Sequence, residues 1–155
     1  MRPFENTPQA AGFVSPISDA ARPVAVVDDN LDDKEFLRRE IGFLFGEAPI
    51  ITFFSGNALI TYLQDHPHAQ DLPRMILLDL QMTGMDGLRT LEFLRRNVKF
   101  SGIPVIVVSG TSDTGKVRAA LAAGAQAFLP KPVSRRDFMD VLHGRLDAGF
   151  TETRI

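Results

Sequence analysis

A chain of 155 residues with 45% hydrophobic and 23% charged residues has enough apolar material for one packed domain and too much for a disordered one. Its net charge of -2, with no Lys/Arg block, provides no electrostatic footprint for nucleic acid or an acidic membrane, so neither is expected as a partner. Cysteine is absent, which removes disulfides and thiolate chemistry. No apolar run nears the roughly 20 residues that cross a bilayer, and Met1 to Glu5 do not open a signal-like segment, so a cytoplasmic protein is expected.

Met1 to Arg22 are rich in Pro, Ala, Ser and Thr without helical or strand period, which predicts a flexible arm over 1–22. One domain over 23–146 follows. Val24 to Asp28 predict a first strand, and Asp33 to Phe45 predict a helix stopped by Gly46. Ile50 to Phe54 predict the second strand, with Ser55 at the cap of a helix over Asn57 to Asp65. Met75 to Asp79 and then Leu88 to Asn97 form the third pair. Val105 to Ser109 and Lys116 to Ala123 form the fourth, ended by Gly124. Ala127 to Leu129 predict the last strand. Ser134, with Asp137 at capping-box spacing, starts a helix over Arg135 to Leu146. The tail over 147–155 is too short for an output domain, so the domain is expected to act alone or through partners.

The strand runs are almost continuously apolar, as burial on both sheet faces requires, and a helix separates each from the next. The expected fold class is therefore α/β: a doubly wound, five-stranded parallel sheet of (βα)₅ order.

In such a sheet the ligand crevice lies outside the strands' carboxyl ends. Asp28 and Asp29 close the first strand, Asp79 closes the third, Ser109 closes the fourth, and Lys131 follows the fifth. Carboxylates crowded on one rim repel unless a cation lies among them, and an all-oxygen site with room for water and phosphate suits Mg²⁺. A carboxylate nucleophile beside a metal and an ammonium suits phosphoryl transfer, with Asp79 as the attacking group.

Four motifs in order carry a resemblance over Pro23 to Leu146. They are the acidic pair, Asp79 followed by Gln81-Met82-Thr83-Gly84-Met85-Asp86-Gly87, Ser109-Gly110, and Phe128-Leu129-Pro130-Lys131-Pro132. In these the chain resembles the receiver domains of two-component response regulators, of the stand-alone type and with a flavodoxin-like fold. The resemblance implies that Asp28, Asp29, Asp79 and the Gln81 carbonyl hold Mg²⁺, that Lys131 pairs with the phosphoryl oxygens, and that Lys131-Pro132 is cis. It further implies that Ser109 and Phe128 couple phosphorylation to a helix 4, strand 5, helix 5 face. The donor would be a sensor histidine kinase or histidine phosphotransfer protein, and the output a downstream protein partner; a homodimer is compatible with it. The protein would be a phospho-accepting switch, not an enzyme in its own right. Thr83 replaces the usual proline and Phe128 the usual tyrosine, while Gln81 and Thr111 occupy positions that influence water access to the acyl phosphate.

Other residues read as structural. Asp86 suits a cap, the histidines (His66, His68, His143) lack metal-ligand spacing, and Arg95-Arg96 and Arg135-Arg136 suit solvated helix surfaces. Gly110 to Val117 nearly form a nucleotide-binding P-loop, but Val117 stands where a hydroxyl must reach Mg²⁺. A second rival is a receiver-like scaffold that binds proteins without being phosphorylated.

Overall fold

A computed structural model describes residues 22–46, 49–82, 86–110 and 113–143. The predicted arm over 1–22 apart from Arg22, the tail over 147–155, the predicted helix end at 144–146, and Thr83, Gly84, Met85 and Thr111 lie outside the described residues.

Among the described residues five strands, β1 (Val24–Val27), β2 (Ile50–Phe53), β3 (Met75–Leu78), β4 (Val105–Ser109) and β5 (Ala127–Pro130), alternate with five α-helices. These are α1 (Leu31–Phe45), α2 (Gly56–Asp65), α3 (Gly87–Arg96), α4 (Thr114–Ala122) and α5 (Arg135–Leu142). All strand pairs are parallel, in the order β2-β1-β3-β4-β5. Successive side chains of a strand point to opposite faces, and each face has its own core. Ala25, Val27, Ile76, Leu78, Val105, Val107 and Phe128 pack with Leu59, Leu63, Leu91, Leu94 and Val117 of α2, α3 and α4. Val24, Val26, Met75, Leu77, Ile106, Val108 and Leu129 pack with Leu37, Ile41, Phe138 and Val141 of α1 and α5. Burying each of the Val, Leu, Ile, Phe and Met side chains among these stabilises by roughly 1.5–3 kcal/mol, which is why both faces of every central strand are apolar. Pro130, which cannot donate to a ladder, sits at the end of edge strand β5.

Each of these five α-helices carries a side-chain cap: Asn30, Ser55, Asp86, Asp113 and Ser134 accept N–H groups two or three residues ahead. These caps move several starts earlier than the apolar periodicity predicts. Asn30 sets α1 two residues before Asp33, and Asp113 sets α4 two residues before Lys116. A short 3₁₀ turn over Ala69–Asp71 was not expected.

Arg95 departs from the solvated surface expected of it. Its guanidinium is partly buried and donates to the carbonyls of Gly124 (2.8 and 3.1 Å), Ser101 (2.9 Å) and Ile103 (2.9 Å), tying the end of α3 to the turns before β4 and β5. Gly124, at φ +110°, brings its carbonyl to Arg95 in a conformation that other residues rarely adopt. Arg95→Ala is expected to lower stability by about 2 kcal/mol, because three carbonyls lose a charged donor. The exposed neighbour Arg96 makes a matched control, and its replacement by alanine should stay within about 0.5 kcal/mol in urea unfolding. Arg135 also has partners, in a two-pronged bond to Glu40 of α1 (2.7 and 3.0 Å) and the face of Phe43.

Candidate phosphoryl-transfer site

β1 is hydrogen-bonded to β2 on one side and β3 on the other, so the winding direction reverses between β1 and β3. A crevice opens at such a reversal, beyond the carboxyl ends of the two strands. Asp28 follows β1 and Asp79 follows β3. The Asp79 N–H donates to Val27 O (3.0 Å) and the Asp28 N–H to Phe53 O (3.0 Å), so the ladders continue into the site and fix both backbones. Asp28 and Asp79 are 1% and 6% exposed, unusually buried for carboxylates, and Asp29 is exposed beside them. Oxygens of all three lie within 4.8 Å of one another.

Lys131 reaches into this cluster. Its Nζ donates to Asp28 Oδ2 (2.6 Å), Asp33 Oδ2 (2.8 Å) and Asp79 Oδ2 (3.2 Å). The lysine's backbone N–H donates to Ser109 O (3.0 Å), and the Lys131-Pro132 bond is cis, as the resemblance implies. Burial pulls the ammonium's pKa down, but the bonds to Asp28 and Asp33 and the charge of Asp79 outweigh it, so the net shift is upward and the lysine is firmly cationic. Asp28 is shifted upward by burial, with the Asp79 charge adding to it, against the opposing bonds from Lys131 and the Asn30 N–H. The second oxygens are engaged as well: Asp28 Oδ1 accepts the Asn30 N–H (2.9 Å) and Asp79 Oδ1 the Gln81 N–H (3.0 Å).

The fold therefore brings Asp28, Asp29, Asp79 and Lys131 together. Ser109, wholly buried, ends β4 with its backbone tied to Lys131. Gln81 is exposed and lines an open cleft of about 440 Å³ with Asp29, Met82, Asp86, Leu88 and Lys116. Phe128 lies 1% exposed in the core between the sheet and α2, α3 and α4. Asp86 caps α3, accepting the Arg89 N–H at 2.8 Å, as its sequence position suggests.

Two charged residues went unrecognised as neighbours of the crevice, Asp33 and Lys34, both in the first turn of α1. Lys34 is 3% exposed, and its Nζ lies 2.7 Å from the ring centroid of the exposed Phe54. Burial lowers the Lys34 pKa, with the charges of Asp28 and Asp29 opposing the shift. An acidic residue and a lysine at a helix start are so common on surfaces that neither carried a signal in the sequence.

The donor set is chemically definite. Three carboxylates without a nitrogen or sulfur ligand form a hard oxygen set, and two of them are buried, where a cation among them offsets the repulsion of like charges. A small divalent ion such as Mg²⁺ fits that set. The P-loop alternative does not fare as well. The N–H groups of Gly115 and Lys116, which would cradle a phosphate, are taken by the Asp113 carboxylate at 2.9 and 3.3 Å, an anion already seated where the phosphate belongs.

A doubly wound parallel sheet in the order 2-1-3-4-5, with an acidic crevice and a lysine at its carboxyl rim, defines the flavodoxin-like fold of receiver domains. The chain belongs to the response regulator receiver domain family, whose sequence profile it matches over residues 24–143. It is 30% identical over 115 residues to the probable methanogenesis regulatory protein FilR2 of Methanothrix harundinacea, a match covering 74% of each chain. It is 32% identical over 126 residues to the cyclic di-GMP phosphodiesterase response regulator RpfG of Xanthomonas campestris, covering 81% of this chain but 32% of that longer protein. Among solved structures, a response regulator receiver protein from Pseudomonas putida superposes with a TM-score of 0.69 at 24% identity, over 81% of this chain and 98% of that one. Among the described residues no helix is long and apolar enough to cross a membrane.

Proposed function

We propose that Asp79 accepts a phosphoryl group from a sensor histidine kinase or histidine phosphotransfer protein, and that the modified domain controls a downstream protein partner. The observation that carries this reading is the Lys131 ammonium bonded at once to Asp28 and Asp79 at the sheet's switch point. A carboxylate oxygen of Asp79 attacks phosphorus in line, the phosphorus–nitrogen bond to the donor imidazole breaks with its electron pair, and an acyl phosphate remains. Lys131 gives an N–H to the incoming phosphoryl oxygens, and the Ser109 hydroxyl donates to the modified carboxyl group. Asp28, Asp29, Asp79 and the Gln81 backbone carbonyl hold Mg²⁺, which when bound offsets the negative charge of carboxylates and phosphoryl group together.

Phosphorylation then favours one of two arrangements of the α4, β5 and α5 face, through Ser109 and Phe128, by contacts made only with the phosphoryl group. In this reading residues 23–146 form the switching unit, the arm over 1–22 and the tail over 147–155 stand outside it, and the protein works in the cytoplasm as a signalling switch with no separate substrate.

The test is incubation with a small phosphodonor and Mg²⁺, followed by intact mass. Wild type should gain one phosphoryl group and Asp79→Asn none; an equal gain in both would overturn the reading. ATP binding that depends on Lys116 would favour the P-loop alternative instead. A partner captured equally by wild type and Asp79→Asn under phosphorylating conditions would favour a passive scaffold.

A further inference from the structure

Lys131 uses its three N–H donors on three different carboxylates, and only two of them, Asp28 and Asp79, belong to the cluster that fits a divalent ion. The third is Asp33, whose oxygen lies 2.8 Å from Nζ, closer than that of Asp79 at 3.2 Å. Its side chain is 42% exposed, against 1% for Asp28 and 7% for Asp79, so it holds the ammonium from the solvent side of the crevice. Geometry at the start of α1 fixes it there. The Asn30 side chain accepts the Asp33 N–H (2.9 Å), which places residue 33 in the first turn, next to the loop that carries Asp28 and Asp29.

A cation bound by Asp28 and Asp79 competes with Lys131 for the same oxygens and repels its charge. An ammonium left without a counter-ion in a partly buried site is costly. Asp33 removes that cost, since it pairs with Lys131 yet lies outside the metal-fitting set. We infer that Asp33 is a positioning residue of this site: it keeps Lys131 paired at the α1 edge while Asp28 and Asp79 are committed to a divalent ion, so that the metal and the lysine coexist. This inference rests on the proposed phosphoryl-acceptor reading and adds a residue that the strand-end pattern does not contain.

Mg²⁺ alone, titrated calorimetrically into the full chain, tests it. Asp33→Asn keeps the shape and the capped N–H of the residue and removes only its charge. It should weaken Mg²⁺ binding about fivefold, near the upper end for a part-exposed ion pair. Asp32→Asn, which removes a charge from the same helical turn without a bond to Lys131, should change affinity by less than about twofold.

The deciding step is a double-mutant cycle. In a Lys131→Met background, Asp33→Asn should leave Mg²⁺ affinity within about twofold, because its effect runs through the lysine. The same loss in both backgrounds would mean plain long-range charge and would overturn the inference, as would wild-type affinity in Asp33→Asn itself. A wild-type chain that takes up phosphate on Asp79 but binds no Mg²⁺ overturns the metal-ligand reading, and this inference with it. Uptake and binding by wild type with an inert Asp33→Asn overturn this inference alone.

Discussion

Lys131→Met is expected to cut the rate of phosphoryl uptake by about a hundredfold, the usual consequence of removing one fixed donor from a developing anion. Its effect on stability should depend on metal. Without Mg²⁺, Asp28, Asp33 and Asp79 lose their shared cation, two of them in buried positions, and the fold should weaken by about 2 kcal/mol. Saturating Mg²⁺ should restore most of that loss, because an ion that binds only the folded chain stabilises it by mass action. The metal should also bind more tightly than to wild type, since the lysine no longer competes for Asp28 and Asp79. Urea unfolding with and without Mg²⁺ checks both halves. A variant equally destabilised under the two conditions would show that Lys131 and the metal do not share the same oxygens.

The second large effect is expected at a residue without a side chain. Gly87 begins α3, and its N–H donates to Leu80 O at 3.3 Å. A Cβ there would stand 2.6 Å from the Leu80 Cα and 2.8 Å from the Asp79 backbone carbon, and would run into the Asp79 carbonyl oxygen. These are backbone atoms, so relief requires moving either α3 or the segment that carries Asp79. Gly87→Ala should lose about 3 kcal/mol through overpacking. Because the displaced backbone is that of Asp79, phosphoryl uptake should fall as well under conditions where the variant remains folded. Alanine at the wholly unobstructed Gly102 provides the comparison and should be mild. If Gly87→Ala unfolds like wild type, the close approach of α3 to β3 is not a rigid constraint.

The sheet was legible because its signal is two-sided: short runs such as Met75-Ile-Leu-Leu78 are apolar at every position and alternate with amphipathic helical segments, as strands buried on both faces require. The crevice was legible for a related reason. Asp28 and Asp79 interrupt such runs at their carboxyl ends, where nothing in the core rewards a charge. Residues whose role depends on which way a helix surface turns were not legible. Arg95 and Arg96 are adjacent and chemically identical, yet one bonds three carbonyls from two turns and the other is exposed. Asp33 reads as a favourable first-turn acid, and nothing local distinguishes it from Asp32. Its partner Lys131 is 98 residues away and follows edge strand β5; the two meet only because α1 packs on the face of the sheet to which β5 belongs. Gly87 reads as a turn residue; that it makes room for the Asp79 backbone follows from how closely the start of α3 lies against the end of β3.

The most direct measurement locates the phosphoryl group itself. The chain is treated with a small phosphodonor and Mg²⁺, reduced with borohydride to convert an acyl phosphate into homoserine, digested, and sequenced by mass spectrometry. Acceptance of the phosphoryl group by Asp79 would leave homoserine at position 79 and an unreduced carboxyl at 28, 29 and 33. Homoserine at one of those three positions in place of 79, or at none of the four, would contradict it.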